Sequence, residues 1–129
     1  QYFMYQKAKL FGDIDIMEQI LKEKKPFNCK KLGKLVKNFD KKIWEENCVD
    51  LVTMGCYHKF SQNKELKNFL LSTGDRLLVE ASPYDAIWGI GMGELKAKNL
   101  RPEQWPGKNY LGICLMNARK MIRDEINSD

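Results

Sequence analysis

The sequence LVEASPYDAIWGIG, residues 78–91, decides how the chain is interpreted, because the pattern of the sequence changes there. The run RLLVEA at residues 76–81 is short and apolar, lies between turn signals, and predicts a β-strand. The segment 82–107 is rich in Gly, Pro and Trp and shows little helical periodicity. It predicts a long loop, and loops of that length in a small domain are usually functional.

Upstream of this stretch, the first 72 residues predict one helix after another. Apolar residues recur every three to four positions through most of this region, and most clearly between residues 43 and 60. Pro26 is predicted to end the second helix. The predicted N-caps are Asp13 or Asp15, Asn28, Asp40 and, for the last helix, Asn109. The expected fold is therefore α+β: a single compact, mostly helical domain of residues 1–129 with a few short strands.

Length and composition narrow the class of protein. A chain of 129 residues and 15.1 kDa has the size of one domain. Its 43% hydrophobic and 30% charged residues exclude a mostly disordered chain. No apolar run approaches the roughly 20 residues of a membrane-spanning helix, so no membrane partner is expected. The chain opens on Gln rather than Met, shows no secretory signal, and is expected to lack upstream residues.

The net charge of +5 leaves two interpretations open. A positive excess suits an anionic partner such as a nucleotide or a nucleic acid. It is equally typical of a solvated, lysine-rich surface. The basic residues are 18 Lys and 4 Arg, whereas phosphate-reading sites usually favour the planar fork of Arg. The charge alone therefore does not choose between the two.

The cysteines predict neither a metal site nor a disulfide framework. Cys29, Cys48, Cys56 and Cys114 form no CxxC pair, and His58 is the only histidine. All four are expected to be reduced, mostly buried small hydrophobic residues in a reducing compartment, which predicts a cytoplasmic location. No cofactor is expected.

Lys7 is an unusually placed charged residue. At about 100° per residue it lies roughly 40° from Phe3 on the first helix, with Leu10 on its other side. A lysine on an apolar stripe can pack its stem and keep its ammonium group in water. The alternative is a partly buried amine with a lowered pKa, which is a nucleophile able to form a Schiff base.

The 78–91 stretch concentrates the remaining candidate chemistry. Glu80 and Asp85 are two carboxylates at and after the predicted strand end, Trp88 offers a flat aromatic face, and Gly89 permits close backbone approach. Such a set suits a site that stacks a base or sugar and moves protons. The structural alternative is that Asp85 caps a turn and Trp88 fills the core. The glycine spacing does not match a dinucleotide-binding fingerprint.

Trp105 and Asn109 close the long loop. Asn109 is most simply the N-cap of the last helix. A helix N-terminus is also a natural anion site, so a phosphate-binding role stays open.

With these residues in view, the sequence resembles the NADAR family, the NAD and ADP-ribose associated proteins with a YbiA-like domain. The matching motifs are YFxxQKA at 2–8, LGxxVxxFDxxxW at 32–44, KFxQ at 59–62, the whole 78–91 stretch, and WxGxNxLGxxLMxxR at 105–119. These motifs keep their order and span nearly the whole chain.

The resemblance implies a compact, mostly helical α+β domain with N-glycosidase activity. Family members cleave the bond between a ribose and an attached base or amine, without a metal. The substrate types it implies are ribosylamino intermediates of the riboflavin pathway and ADP-ribose attached to guanine in nucleic acid. The family motif places a Glu directly before the position of Gln1, and an upstream strand and substrate loop are also absent. A partial chain or a degenerate relative is therefore expected.

The predicted site combines a nucleophile with an acid and a stacking surface. Lys7 is predicted to be the nucleophile or charge-stabiliser, Asp85 the acid/base and Glu80 an orienting carboxylate, all facing one cavity. The predicted substrate-binding residues are Phe3, Gln6, Ser82, Trp88, Gly89, Trp105 and Asn109. The alternative function is a non-catalytic module that binds ADP-ribose or a nucleotide. The oligomeric state is left open.

Overall fold

A computed structural model of the protein describes residues 1–128 and shows helices joined by turns and irregular segments. The helices are α1 (Tyr2–Leu10), α2 (Ile14–Lys22), α3 (Pro26–Gly33), α4 (Lys41–Ser61), α5 (Lys64–Ser72), α6 (Glu94–Ala97), a 3₁₀ helix (Pro102–Gln104) and α7 (Tyr110–Asn127). Residues 1–128 are 63% helical and contain no β-strand. The predicted α+β class is therefore wrong. Asp129, the last residue of the predicted domain, lies outside the described residues.

The predicted strand at 76–81 has no regular secondary structure, because a side chain takes the place of a partner strand. The Glu80 N–H donates to Asn109 Oδ1 at 3.0 Å, and Asn109 Nδ2 donates to the Leu78 carbonyl at 2.9 Å. The Glu80 carbonyl accepts from the Ile90 N–H at 2.9 Å. These bonds satisfy backbone groups that a sheet ladder would otherwise pair.

The chain divides into two compact units, residues 1–51 and 52–129, with the boundary inside α4. The prediction of a single domain stays a prediction. In the first unit, α1, α2 and α3 pack against one another. Their core consists of Ala8, Ile16, Ile20, Cys29 and Val36, all less than a tenth exposed.

Two helix starts in the first unit were predicted correctly. Asp13 caps α2, since its Oδ1 accepts from the Ile16 N–H at 3.2 Å. Its other oxygen accepts from the Lys37 N–H at 2.9 Å, which ties the α2 start to the segment after α3. Asp40 Oδ1 likewise accepts from the N–H of Ile43 at 3.1 Å, as its predicted role at the start of α4 requires.

The predicted start of α3 is wrong. The helix begins at Pro26 with Lys25 as N-cap, and Asn28 lies inside it. Proline suits the first helical position, because that position has no need of an N–H donor. Pro26 therefore begins α3, after α2 has already ended at Lys22.

In the second unit, α7 holds the turn that follows α5. Arg119 is 6% exposed and donates through one nitrogen to Thr73 Oγ1 at 2.8 Å and to the Arg76 carbonyl at 2.9 Å. One turn later, Arg123 donates to the Gly74 carbonyl at 2.7 Å and to Asp75 at 2.8 Å. These two side chains fix the point at which the irregular segment leaves the helices.

The segment 82–107, predicted as a loop without elements, contains α6 and the 3₁₀ helix. All four cysteines are free thiols, as predicted, and three of them are buried. None of the helices within residues 1–128 has both the length and the apolar composition needed to cross a membrane.

Candidate functional site

Lys7 lies in an aromatic environment in the first unit. It is half-buried on α1, and its Nζ lies 4.5 Å from the centroid of the Phe39 ring. The Phe39 ring meets the ring of Phe11 edge to face, with centroids 5.2 Å apart. Burial lowers the pKa of the Lys7 amine below its ordinary value. The side chain therefore has the setting expected of a partly desolvated amine.

The other two predicted site residues of α1 lie beside Lys7 in the sequence. Phe3 packs edge to face against Trp44, with ring centroids 5.2 Å apart. Gln6 is half-buried. Phe3 therefore has a packing role within the first unit.

Asp85 shapes its own loop in the second unit. Its Oδ1 accepts from the N–H of Ile87 at 3.0 Å and of Trp88 at 2.8 Å. This is the turn-capping geometry that the sequence left open as an alternative. The Trp88 ring packs edge to face on Tyr110, with centroids 5.7 Å apart.

The start of α7 is covered by this loop. Five consecutive N–H groups, those of residues 107–111, donate to the carbonyls of residues 86–90 at 2.7–3.2 Å. Asn109 has a left-handed backbone with φ 55°, and its side chain makes no capping bond. The prediction that Asn109 caps α7 is wrong at the level of its side chain, which binds Leu78 and Glu80 instead. The N–H groups of Tyr110 and Leu111, expected at an anion site, are already paired.

Gly89 and Ser82 also serve the local packing of the loop. A Cβ at Gly89 would lie 2.8 Å from the carbonyl oxygens of both Asp85 and Glu80, so only glycine fits. Ser82 Oγ accepts from the Tyr84 N–H at 3.4 Å. Glu80 itself is half-buried, with its backbone N–H and carbonyl both bonded.

Trp105 lines a cleft in the second unit. The cleft has a volume of about 420 Å³ and is bounded mainly by apolar side chains, and its lining residues besides Trp105 are Leu77, Leu78, Val79, Ala81, Glu94, Ala97 and Lys98. Trp105 is half-buried and donates its ring N–H to the Ala97 carbonyl at 3.1 Å, which fixes the ring in the cleft wall. Its flat face is one that a planar ligand can stack on.

The sequence profile of the NADAR domain matches residues 1–123. The chain belongs to the NADAR family. This match confirms the family predicted from the sequence motifs, and it spans both compact units.

Named relatives support the same assignment. N-glycosidase R617 of Acanthamoeba polyphaga mimivirus is 47% identical over 120 residues, which cover 93% of this chain and 71% of R617. Protein irg-1 of Caenorhabditis elegans is 41% identical over 133 residues, covering all of this chain and 63% of irg-1. The chloroplastic riboflavin biosynthesis protein PYRR of Zea mays is 35% identical over 84% of this chain and 16% of its own length. Further relatives, YbiA among them, are also named N-glycosidase.

The site residues predicted for this NADAR chain fall into two groups. Phe3, Gln6 and Lys7 belong to the first unit, and the predicted residues from Glu80 to Asn109 belong to the second. Within the second unit, Glu80 bonds directly to Asn109, whereas the Asp85 carboxylate bonds to Ile87 and Trp88 of its own loop.

Sequence reasoning missed one aromatic neighbour of Lys7. Phe39 belongs to the motif at 32–44, yet its ring contact with Lys7 spans a gap of 32 positions that no helical periodicity bridges. Among residues 1–128, no group of three or more His, Cys, Asp or Glu side chains is placed to hold a metal ion.

Proposed function

We propose that this NADAR chain is an N-glycosidase that hydrolyses the bond between a ribose and a base or amine in a nucleotide-like substrate. The observation that carries the proposal is Lys7, a half-buried amine whose pKa burial lowers. A lowered pKa increases the fraction of free amine near neutral pH, and only the free amine is a nucleophile. The N-glycosidase names of several relatives support the same reaction class.

In the proposed reaction, Lys7 Nζ attacks the anomeric carbon of the ribose, and the carbon–nitrogen bond to the base breaks. The departing base takes a proton from an acid, and the new ribosyl-lysine opens to a Schiff base as the ring oxygen gains the proton from Nζ. Water then adds to the imine carbon and releases the free sugar and the amine. The alternative role of Lys7 is electrostatic, without a covalent bond.

Asp85 is proposed as the acid/base, acting through Oδ2, while its Oδ1 holds the backbone of the loop. Glu80 is proposed as an orienting carboxylate. The proposed substrate contacts are Phe3, Gln6, Ser82, Trp88, Gly89, Trp105 and Asn109. Of these, Trp105 has a fixed ring beside a cleft large enough for a planar base.

The proposed substrates are ADP-ribosyl-guanine in nucleic acid and ribosylamino intermediates of the riboflavin pathway. The second type is supported by the riboflavin biosynthesis names of some relatives. No cofactor is part of the proposal, and a cytoplasmic location stays a prediction.

The test is turnover of a panel of ribosylamino compounds and of oligonucleotides carrying ADP-ribosylated guanine. We expect release of the free base or amine by the wild-type chain and a loss of at least about 100-fold in Lys7→Arg, because guanidinium stays protonated and cannot attack. Lys9→Arg is the matched control, since Lys9 is exposed on the same helix, and it should retain activity. Binding of the panel without any turnover would instead favour the non-catalytic nucleotide-binding module.

A further inference from the structure

The positive charge of the chain is concentrated in one segment. Residues 22–42 contain nine lysines and two acidic residues, whereas the rest of the chain contains 13 basic and 15 acidic residues. The net excess of the whole chain therefore resides in this segment, which lies within the first compact unit. A charge excess confined to one segment creates a local positive potential that attracts anions.

The lysines of this segment are accessible to a binding partner. All nine are exposed. Among residues 1–128, the salt bridges include one of the nine, Lys41, which pairs with Glu45 at 3.8 Å. The segment's two acids, Glu23 and Asp40, accept backbone N–H groups of the residues that follow them. Of the nine ammonium groups, that of Lys41 pairs with a carboxylate, and those of Lys25 and Lys37 lie within the electrostatic reach of Glu23 and Asp13. The two acids of the segment therefore offset only part of its positive charge.

Helix α3 presents these charges together with an aromatic ring. At about 100° per residue, Phe27, Lys30, Lys31 and Lys34 fall within an arc of about 100°, and buried Cys29 lies on the opposite side. Phe27 is 68% exposed, and Lys31 Nζ lies 4.7 Å from the centroid of its ring. An exposed ring among lysines is the pattern that single-stranded nucleic acids bind, with bases stacking and phosphates paired.

A cleft of about 450 Å³ adjoins this face, between α2 and α3. Its lining residues are Gln19, Lys22, Glu23, Asn28, Lys31 and Leu32. Side-chain amides and ammonium groups are donors to phosphate and sugar oxygens. The exposed lining of this open cleft is mainly apolar, so it offers a wall for a base, while the ammonium groups of Lys22 and Lys31 beside it can pair with phosphates.

We propose that the lysine-rich face of residues 22–42 binds the phosphate backbone of single-stranded nucleic acid, with Phe27 stacking on a base. Lysine ammonium groups act on phosphates as point charges, so the binding is expected to be independent of base sequence. This surface adds a polyanion-binding role to the proposed reaction and does not depend on that reaction, because unmodified nucleic acid is sufficient to test it.

The test is fluorescence anisotropy of the full chain with a labelled, unmodified 20-nucleotide single strand over a range of NaCl concentrations. The variant carries Lys30→Gln, Lys31→Gln and Lys34→Gln. Each lost phosphate contact lowers the slope of log K against log salt by about 0.7 for single strands. We therefore expect a slope smaller by about 2 and binding about 100-fold weaker at 0.1 M salt.

The matched control carries Lys59→Gln, Lys64→Gln and Lys96→Gln, three exposed lysines outside the segment, and so has the same net charge. It should bind within about threefold of wild type. Equal losses in the two triple variants would overturn the proposal, because net charge alone would then explain binding. Absence of binding by wild type, or preferential binding to phosphatidylserine vesicles at the same salt, would also overturn it. Thermal unfolding followed by circular dichroism checks that both variants are folded.

Discussion

Different interactions stabilise two regions of the molecule, residues 1–51 and the segment 76–111, each within itself. In the first region, three helices bury apolar side chains such as Ala8 and Ile20 against one another. In the second, polar backbone groups bond across the irregular chain, and five consecutive N–H groups at 107–111 meet carbonyls of 86–90. The first region therefore depends on apolar volume, and the second depends on close backbone approach and on a few polar side chains.

The largest expected loss of stability comes from a substitution in the helical region, residues 1–51. Ile20 is fully buried in its core, and Ile20→Ala leaves a cavity that should lower the free energy of unfolding by about 4 kcal/mol. The neighbouring Leu21 is 58% exposed, and Leu21→Ala should cost less than about 1 kcal/mol. Urea denaturation measures both. Equal costs at the two positions would show that the first region does not depend on a buried apolar core.

The next largest loss of stability is expected where the backbone of α7 lies close to the segment 76–111. A Cβ at Gly112 on α7 would overlap the Leu78 carbonyl and the Asn109 side chain, so Gly112→Ala should cost about 3 kcal/mol. Gly93 has φ −74° and nothing within 4 Å of an added Cβ. Gly93→Ala should therefore change stability by no more than about 0.5 kcal/mol. Amide hydrogen exchange should locate the loss in residues 76–111. A tolerated Gly112→Ala would contradict the packing described for α7.

A smaller loss of stability is expected when the side chain of Asn109, which bonds to the segment 76–81 in place of a partner strand, is removed. Asn109→Gly keeps the left-handed backbone but removes the bonds to Leu78 and Glu80, each worth about 1 kcal/mol, so a cost of about 2 kcal/mol is expected. Asn38 also has a positive φ, 61°, and Asn38→Gly should be near neutral. The same cost at both positions would mean that the backbone conformation matters and the side-chain bonds do not.

The difference between local and long-range interactions explains which features could be predicted from the sequence. The caps Asp13 and Asp40 act within three residues of their own position, so a local pattern reveals them. The side-chain partners of Asn109 lie 29 and 31 residues upstream, and no local pattern indicates them. The run at 76–81 has strand-like composition, but whether it forms a strand depends on a distant partner, and Asn109 takes that place.

For the candidate site, composition identified residues but not their roles. The helical position of Lys7 left two interpretations open, a packed stem with its ammonium group in water or a partly buried amine, and its half-buried position and lowered pKa agree with the second. Asp85 and Gly89 were chosen as chemical groups, yet each also has a clear part in holding the loop. A residue that serves packing and a residue that serves chemistry carry the same sequence signal, which is why substitution at Asp85 alone does not separate the two.

The most direct test of the account is borohydride trapping during turnover, followed by mass mapping of the modified lysine. We predict a reduced ribosyl adduct on Lys7, present in Lys9→Arg and absent in Lys7→Arg. Because burial lowers the pKa of Lys7, adduct formation should rise with pH until that lowered pKa is passed. Turnover without any adduct, or with the adduct on another lysine while Lys7→Arg stays active, would contradict Lys7 as the nucleophile.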